Sequence, residues 1–226
     1  MEPAKLFRDV HAIIFDLDGT LVRTTRLKYE AYRRALAQWG SELDYEYYKT
    51  LVGESRRTTC REFIKHFGLD RPWRELSEAR EREDRAIRAE ETSIPVIPEA
   101  EAFLLAIPPA RFHRALVSSA SMDHIEWVLE RTGLGPRFET VIAGDELPNK
   151  PEPDLYLCAI EMASVQPWDA VVIEDSAAGV IGAARAGTRV VAVPDEFTRK
   201  QDFSRAHVRV DSLGQLIPFL KAAARI

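Results

Sequence analysis

Short apolar runs and amphipathic stretches alternate along this chain, and their order predicts its architecture. Residues 11–15 form a mostly apolar run that is too short for a helix, which predicts a buried strand. Between Val22 and Thr92 the apolar positions follow helical spacing instead. From Pro98 onward, short apolar strands alternate with helices, as in βαβ units of a parallel sheet. The pattern therefore predicts an α/β fold with an all-helical insertion after its first strand.

Two linkers delimit this insertion. Val22–Thr25 leads out of the first strand, and Thr92–Pro98 leads back through two prolines, which a helix interior does not accept. We therefore predict a core of residues 1–22 and 97–226 and a helical cap of residues 23–96, with the cap hinged as a lid. The helices are predicted at 27–39, from 44 onward, and at 55–67, 73–91, 99–107, 122–132, 154–163, 177–186 and from 212 toward 224. The strands are predicted at 11–15, 114–117, 140–143, 170–173, 189–193 and 207–210.

Composition narrows the classes of protein and partner. The chain has 226 residues, 46% of them hydrophobic and 30% charged, as in a folded globular protein. A net charge of −5 argues against a nucleic-acid partner, because binding to phosphate backbones needs a basic excess. No segment has the ~20 apolar residues that cross a bilayer, so we expect no membrane partner and a cytoplasmic location. Cys60 and Cys158 are expected as reduced thiols.

Charged and hydroxyl side chains follow three of the predicted strands, and a loop adds a lysine. In chain order, these residues are Asp16, Asp18, Ser118, Lys150, Glu174 and Asp175. Because the carboxyl ends of parallel strands share one edge of a sheet, we expect these groups to converge although they are far apart in sequence. The sequence thus predicts a polar crevice at that edge.

The groups in this crevice fit the steps of phosphoryl transfer. Asp16 is best placed to attack phosphorus and form an aspartyl phosphate. Asp18 would protonate the leaving oxygen and then take a proton from the water that hydrolyses the intermediate. Ser118 would donate to a phosphoryl oxygen, and Lys150 would neutralise the nucleophile and the incoming phosphate.

The paired acids also predict a bound hard metal ion, because carboxylates this close repel each other unless a cation lies between them. Mg²⁺ would be bound by Asp16, by Asp175 with or without Glu174, and by the main-chain carbonyl of Asp18. The histidines have no ligand-like spacing, which argues against zinc.

In order and rough spacing, the polar motifs resemble those of the haloacid dehalogenase superfamily. The motifs are Asp16-Leu17-Asp18-Gly19-Thr20, Ser118, Lys150-Pro151-Glu152-Pro153-Asp154, and Glu174-Asp175-Ser176-Ala177-Ala178-Gly179 continuing to Gly187. The resemblance implies a Rossmann-like core, magnesium, the roles just assigned, and a cap that closes over the active site. Gly19, Thr20 and Ser119, which lie in or beside these motifs, are candidate substrate contacts.

Asp18 narrows the resemblance within the superfamily. The dehalogenases that name it lack this second acid and need no metal, so the chain resembles the phosphatase and phosphomutase branch. Residues 51–56 resemble the cap loop of beta-phosphoglucomutases, which implies that Arg56 meets a second phosphate of the substrate. Arg82, on the fourth cap helix, resembles a cationic position of that enzyme. Most other charges of this helix are interpreted as a solvent-exposed face.

The leading hypothesis is a magnesium-dependent phosphatase that acts on a small phosphorylated metabolite, most simply a sugar phosphate. A beta-phosphoglucomutase-like phosphomutase is the first alternative, because it shares the first half-reaction and Arg56 is compatible with both. A signalling or binding protein with a phosphorylatable aspartate and no turnover is a distant alternative.

Overall fold

A single parallel sheet forms the centre of the protein. The structure is a computed structural model that describes residues 5–145 and 147–223. Its strands are β1 (Ala12–Phe15), β2 (His113–Val117), β3 (Thr140–Ile142), β4 (Ala170–Glu174), β5 (Arg189–Ala192) and β6 (Val208–Arg209). They are ordered β3-β2-β1-β4-β5-β6, and every neighbouring pair is parallel. The predicted α/β class is confirmed, and the first strand lies in the interior of the sheet.

Helices surround this sheet and form the insertion. They are α1 (Thr25–Ala37), α2 (Tyr45–Lys49), α3 (Arg56–His66), α4 (Trp73–Glu90), α5 (Pro98–Ala106), α6 (Met122–Thr132), α7 (Asp154–Met162), α8 (Ala177–Arg185) and α9 (Ile217–Ala223). Local sequence sets several starts: the side chain of Asp44 accepts the Tyr47 N–H before α2, and Ser55 accepts the Thr58 N–H before α3. Among the described residues, no helix is long and apolar enough to cross a membrane.

The C-terminal segment differs from the prediction of one continuous helix that starts at Ser212. Leu213–Leu216 form a 3-10 helix, and α9 follows it. Pro218 is the second residue of α9, where its missing N–H is not needed. The proline therefore separates the two helical pieces, while Ala224 lies outside the described residues.

Both faces of the sheet are covered, which explains why its strands read as apolar runs. Ile13 and Phe15 pack into a buried cluster with α5, α6 and α9. Ala12 and Ile14 point to the other face and pack with α7 and α8. The central strand is thereby buried on both sides, and the polar residues that follow it emerge only at the carboxyl edge of the sheet.

The insertion α1–α4 has a small hydrophobic core of its own. Tyr32 and Leu36 of α1 pack there with Phe63 of α3 and Leu76 of α4. Cys60 lies in the same cluster as a free, buried thiol, and Cys158 is also free. The all-helical insertion expected after the first strand is therefore present, and we call it the cap.

The two chain segments that connect the cap with the core lie side by side. Val22 pairs with Val96 in an isolated antiparallel bridge. The Arg23 N–H donates to the Pro95 carbonyl at 2.9 Å, and the Ile97 N–H donates to the Leu21 carbonyl at 2.9 Å. These contacts support the proposal that the cap hinges here, with boundaries at 22/23 and 96/97.

Candidate active site

The strand order brings the predicted polar groups together. β2, β1 and β4 are neighbours, and Ser118, Asp16 and Glu174 lie at their carboxyl ends. Lys150 comes from the loop after β3, and its Nζ lies 2.5 Å from Asp16 Oδ1 and 2.5 Å from Glu174 Oε1. Asp16, Lys150 and Glu174 are only 7%, 3% and 0% exposed. The convergence expected from parallel strands is observed, and it forms a buried ion-pair network.

Glu174 is held by protein donors on both of its oxygens. Oε1 accepts hydrogen bonds from Lys150 and, at 2.7 Å, from the Tyr156 hydroxyl. Oε2 accepts from the N–H and the hydroxyl of Ser176 at 3.1 and 3.0 Å. Gly179 packs so closely that a Cβ at its position would lie 1.9 Å from Oε1. Glu174 is therefore fixed by its neighbours, and its main contact is with Lys150.

Asp16 and Asp175 offer the carboxylate oxygens that fit a cation best. Oδ2 of each is buried and has no hydrogen-bond partner within 5–145 and 147–223. These two carboxylates and that of Glu174 have oxygens within 4.8 Å of one another. Burial raises the pKa of Asp16 to about 7 despite the nearby Lys150. Burial and the negative charge of the neighbouring carboxylates together raise the pKa of Asp175 well above its usual value. A divalent cation between Asp16 and Asp175 would relieve this repulsion, whereas the Glu174 oxygens are already bonded.

Asp18 is surrounded by donors from both the core and the cap. Its Oδ2 lies 2.8 Å from Lys28 Nζ and 3.4 Å from Ser118 Oγ. Its Oδ1 accepts from the Thr24 hydroxyl and lies 3.0 Å from His124 Nε2. Burial would raise the pKa of Asp18, but Lys28 and His124 lower it well below its usual value. Asp18 is therefore stabilised as a carboxylate.

The two acids of the first motif thus have opposite environments. The pKa of Asp16 is raised by burial, while the pKa of Asp18 is lowered by cationic and hydrogen-bonding neighbours. Neighbouring carboxyls whose pKa values are moved apart are typical of sites where one acts as nucleophile and the other as acid or base. The shifts run opposite to the roles expected from the sequence, since Asp16, the expected nucleophile, is favoured as the protonated acid and Asp18, the expected proton donor, as the carboxylate. The roles therefore rest on the positions of the two residues and on the groups that bind beside them.

A cavity of about 420 Å³ lies between the carboxyl edge of the sheet and the cap. Helix α4 contributes Arg80, Asp84 and Arg88 to its cap side, four residues apart and hence on one face of the helix. Arg80 Nη2 lies 3.0 Å from Asp84 Oδ1, and Arg88 Nε lies 3.0 Å from Asp84 Oδ2. Asp84 thus connects two guanidinium groups at the wall opposite the sheet.

The predicted cap contacts divide into one that reaches the cavity and one that does not. Arg56 lines the cavity and lies beside Glu81, with 3.7 Å between Nη1 and Oε2. Arg82 is exposed and lies outside the cavity lining. Two residues rotate a helix by roughly 200°, so Arg80 faces the cavity while Arg82 faces solvent. We therefore replace Arg82 with Arg80 as the candidate substrate contact.

The interpretation of most α4 charges as a solvent-exposed face holds for the helix as a whole but not for two of its charged residues. Arg80 and Asp84 are 7% and 6% exposed. Together with Arg88 they continue the i, i+4 stripe that starts at the buried Leu76. The sequence already contains this spacing. Charged residues that share a helical stripe with an apolar residue such as Leu76 could have predicted that they face the cavity rather than solvent.

The remaining predicted contacts lie in or near the site. Ser119 lines the cavity, and its hydroxyl is buried with no partner among the described residues. Gly19 has φ +98°, and a Cβ there would lie 2.3 Å from Asp175 Oδ2, so this position requires glycine. Thr20 is buried next to it. Neither Gly19 nor Thr20 lines the cavity, and both support the turn that carries Asp18.

Comparison with known proteins agrees with this geometry. Residues 13–193 match the model of the haloacid dehalogenase-like hydrolase family. The chain is 30% identical to Protein CbbY of Rhodobacter capsulatus over 94% of this chain and 99% of that protein. It is 29% identical to a phosphorylated carbohydrates phosphatase of Thermotoga maritima over 79% of this chain and 82% of that protein. A crystal structure of mutant CbbY from Rhodobacter sphaeroides with xylulose-1,5-bisphosphate is similar, with TM-score 0.80, 27% identity and coverage of 91% and 96%.

The chain belongs to the haloacid dehalogenase-like hydrolase family. It is therefore an enzyme, and the class that its relatives indicate is the phosphoric monoester hydrolases. The resemblance stated from the motifs is confirmed. A phospho-aspartate signalling protein without turnover, the distant alternative, does not agree with this membership.

Proposed function

We propose that this enzyme is a magnesium-dependent phosphatase that hydrolyses a small phosphorylated metabolite, most simply a sugar phosphate, through an aspartyl-phosphate intermediate. The observation that carries the proposal is the state of Asp16. One of its oxygens is bound by Lys150, and the other has no partner among the described residues although it is buried in the cavity lining beside Asp175.

In the first step, a carboxylate oxygen of Asp16 attacks phosphorus while the bond between phosphorus and the ester oxygen of the substrate breaks. Asp18 gives a proton to that oxygen, so the product leaves as an alcohol. Lys150 balances the negative charge near the nucleophile, and Ser118 donates to a phosphoryl oxygen. Asp16 then carries the phosphoryl group.

In the second step, Asp18 takes a proton from the water that attacks the aspartyl phosphate, which restores the Asp16 carboxylate. The contacts of Asp18 with Lys28 and His124 favour this ionised form. A phosphate dianion bound beside Asp18 favours the protonated form instead, through like-charge repulsion. The charge of the substrate therefore prepares Asp18 as an acid, and departure of the alcohol prepares it as a base.

Mg²⁺ would be held by Asp16 and Asp175, with the Asp18 carbonyl as a further predicted ligand and Glu174 as a weaker candidate. When bound, it neutralises charge on the phosphoryl oxygens. The unpartnered oxygens of Asp16 and Asp175 support this assignment.

The cap wall supports a substrate with a second anionic group. The charged cap residues that line the cavity are Lys28, Glu54, Arg56, Arg80, Glu81, Asp84, Arg85 and Arg88. Cations outnumber acids in this set, and the phosphate of a sugar bisphosphate or a carboxylate would suit it. Among the relatives, the Thermotoga maritima enzyme is named for phosphorylated carbohydrates, and CbbY was crystallised with a sugar bisphosphate.

A phosphomutase is the second candidate, because the arginine-rich cap wall of the cavity also suits a sugar bisphosphate intermediate that reorients between the two half-reactions. Arg56 is the residue that we place against the second phosphate in either case. The two activities differ in product: a phosphatase releases inorganic phosphate, and a mutase interconverts 1- and 6-phosphates when a bisphosphate primer is present.

A panel of sugar mono- and bisphosphates, assayed for phosphate release with and without Mg²⁺, tests the proposal. We expect turnover that chelation abolishes and that Asp16→Asn lowers on the order of 10⁴-fold or more, because the nucleophile is lost. Interconversion of 1- and 6-phosphates without net phosphate release would favour the mutase. Full activity in Asp16→Asn would contradict the aspartyl-phosphate route.

A further inference from the structure

The carboxylate of Asp18 is contacted by residues from two parts of the molecule. Thr24 belongs to the linker and Lys28 to α1 of the cap, whereas Ser118 and His124 belong to the core. Thr24 and Lys28 therefore depend on the position of the cap relative to Asp18. The core partners keep their place beside Asp18 in any cap position, because they lie on the same side of the hinge.

The two core partners do not contact Asp18 equally. The bond from Ser118 Oγ is long, at 3.4 Å, and this oxygen also accepts the Ala120 N–H at 3.1 Å. In the proposed mechanism Ser118 is also committed to a phosphoryl oxygen. His124 Nε2 lies 3.0 Å from Asp18 Oδ1, and in the steps above it contacts only Asp18. Among the described core residues, His124 thus makes the closest side-chain contact with the Asp18 carboxylate.

His124 is itself held rigidly. It is 5% exposed and lies in the first turn of α6, whose first N–H, that of Met122, donates to Asp145 Oδ2 at 2.7 Å. The imidazole packs against the Trp127 ring, with 5.9 Å between centroids. With a carboxylate as its partner, Nε2 is the nitrogen that carries the proton. A fixed N–H donor is therefore aimed at one oxygen of the carboxyl group that exchanges protons with the substrate in the proposed mechanism.

We propose that His124 is a positioning residue for Asp18, which orients the carboxyl group toward the leaving oxygen throughout the opening and closing of the cap. It touches neither phosphorus nor the leaving group. This inference rests on the proposed phosphatase activity and adds a residue that none of the sequence motifs contains. Its consequence is selective, because orientation of Asp18 matters most where the leaving group needs a proton.

The leaving group supplies the test. A sugar alkoxide needs a proton in order to leave, whereas the phenolate of p-nitrophenyl phosphate leaves without one. We compare kcat/KM, which reports the steps through formation of the aspartyl phosphate, for p-nitrophenyl phosphate and for the fastest sugar phosphate of the panel. For His124→Ala we expect about a 10- to 100-fold loss on the sugar phosphate and less than about 3-fold on the aryl phosphate.

Two further variants separate positioning from general damage to the fold. His124→Gln, whose amide nitrogen can take the place of Nε2, should recover most of the sugar-phosphate activity. His113→Ala removes a core histidine that bonds Thr140 Oγ1 at 2.8 Å, outside the cavity lining, and should leave both values unchanged. Melting temperatures of all variants are measured in parallel.

Equal losses on both substrates in His124→Ala, or no rescue by His124→Gln, would overturn the inference while leaving the phosphatase intact. If the wild-type protein with Mg²⁺ hydrolyses neither substrate, the proposed function fails first, and the role of His124 fails with it.

Discussion

The two ends of the active-site cavity are built in different ways. At the core end, Asp16, Lys150 and Glu174 come from three distant parts of the chain and pair within a buried network at the edge of the sheet. At the cap end, Arg80 and Asp84 come from one helix and pair at i, i+4 spacing.

This difference suggests that the core end carries out the reaction and that the cap end selects the substrate. A substitution at the core end disturbs several strands at once, because every charged group there depends on another that is buried. The cap wall can exchange one side chain of α4 for another without changing the sheet. We infer that the core end fixes the phosphoryl-transfer reaction, while the face of α4 adjusts which substrate reaches it.

The largest expected effect is at the core end, in Lys150→Met. This change leaves Asp16 and Glu174, two buried carboxylates, without the cation between them. We expect the free energy of unfolding to fall by about 3 kcal/mol or more and kcat to fall on the order of 10²–10³-fold. Denaturant unfolding and phosphate release measure the two quantities.

Lys28→Met is the matched control for stability. The Lys28 side chain is 27% exposed, and without it Asp18 keeps Thr24, Ser118 and His124 as partners, so its loss should cost about 1–2 kcal/mol, less than the loss of Lys150. If both lysine variants lost the same stability, the core end would not be the more tightly coupled of the two regions.

A smaller effect is expected at the cap end, where α4 offers a matched pair of arginines. Arg80→Met removes a guanidinium from the cavity wall and should raise KM about 10- to 100-fold, since a charge-assisted hydrogen bond contributes about 1.5–3 kcal/mol. Arg82→Met, two residues further along on the exposed face, should leave KM unchanged. Steady-state kinetics on the best sugar phosphate compares them, and an equal rise in both would remove α4 from substrate selection.

The smallest effect concerns Mg²⁺ and pH. Burial raises the pKa of Asp16 from 3.8 to about 7, so the metal-free folded protein binds a proton that the unfolded chain releases. The contribution of this bound proton to the free energy of unfolding is fully present below about pH 4 and is lost as pH rises through about 7. The Mg²⁺-induced rise in melting temperature should therefore be larger at pH 8 than at pH 5, by roughly 5–10 °C at saturating Mg²⁺.

Thermal melts with Mg²⁺ or with a chelator at the two pH values measure this difference. In Asp16→Asn the pH dependence of the Mg²⁺ effect should shrink, because one of the two proposed ligands with a raised pKa is gone and only Asp175 remains. A Mg²⁺ effect that is equal at pH 5 and pH 8 in the wild-type protein would argue against Asp16 as a ligand.

The parallel strands show which parts of the fold could be predicted from the sequence. The strands at 11–15 and 170–173 were recognisable because burial on both faces makes a parallel strand uniformly apolar. The convergence of Asp16, Lys150 and Asp175 followed from one general property, the shared carboxyl edge of parallel strands. These predictions needed only periodicity and topology.

The cap was harder to read, because a charged residue on a helix faces water or a cavity depending on what packs against it. Arg82 and Arg80 are chemically identical and two residues apart, and only the packed helix distinguishes them. The contact of His124 with Asp18 joins residues more than a hundred positions apart. No local sequence pattern predicts a contact between two residues so far apart in the chain.

The sequence by itself determined the alternation of strands and helices, the insertion after the first strand, and the acids, hydroxyl and lysine at the sheet edge, because these depend on hydrophobic period and strand direction. Only the tertiary structure decided which charges of α4 enter the cavity, that Glu174 is bound by Lys150, Tyr156 and Ser176, and which donors surround Asp18. The physical reason is that hydrogen bonds and burial act through space, so the environment of a charge depends on neighbours that the chain brings near only when it folds.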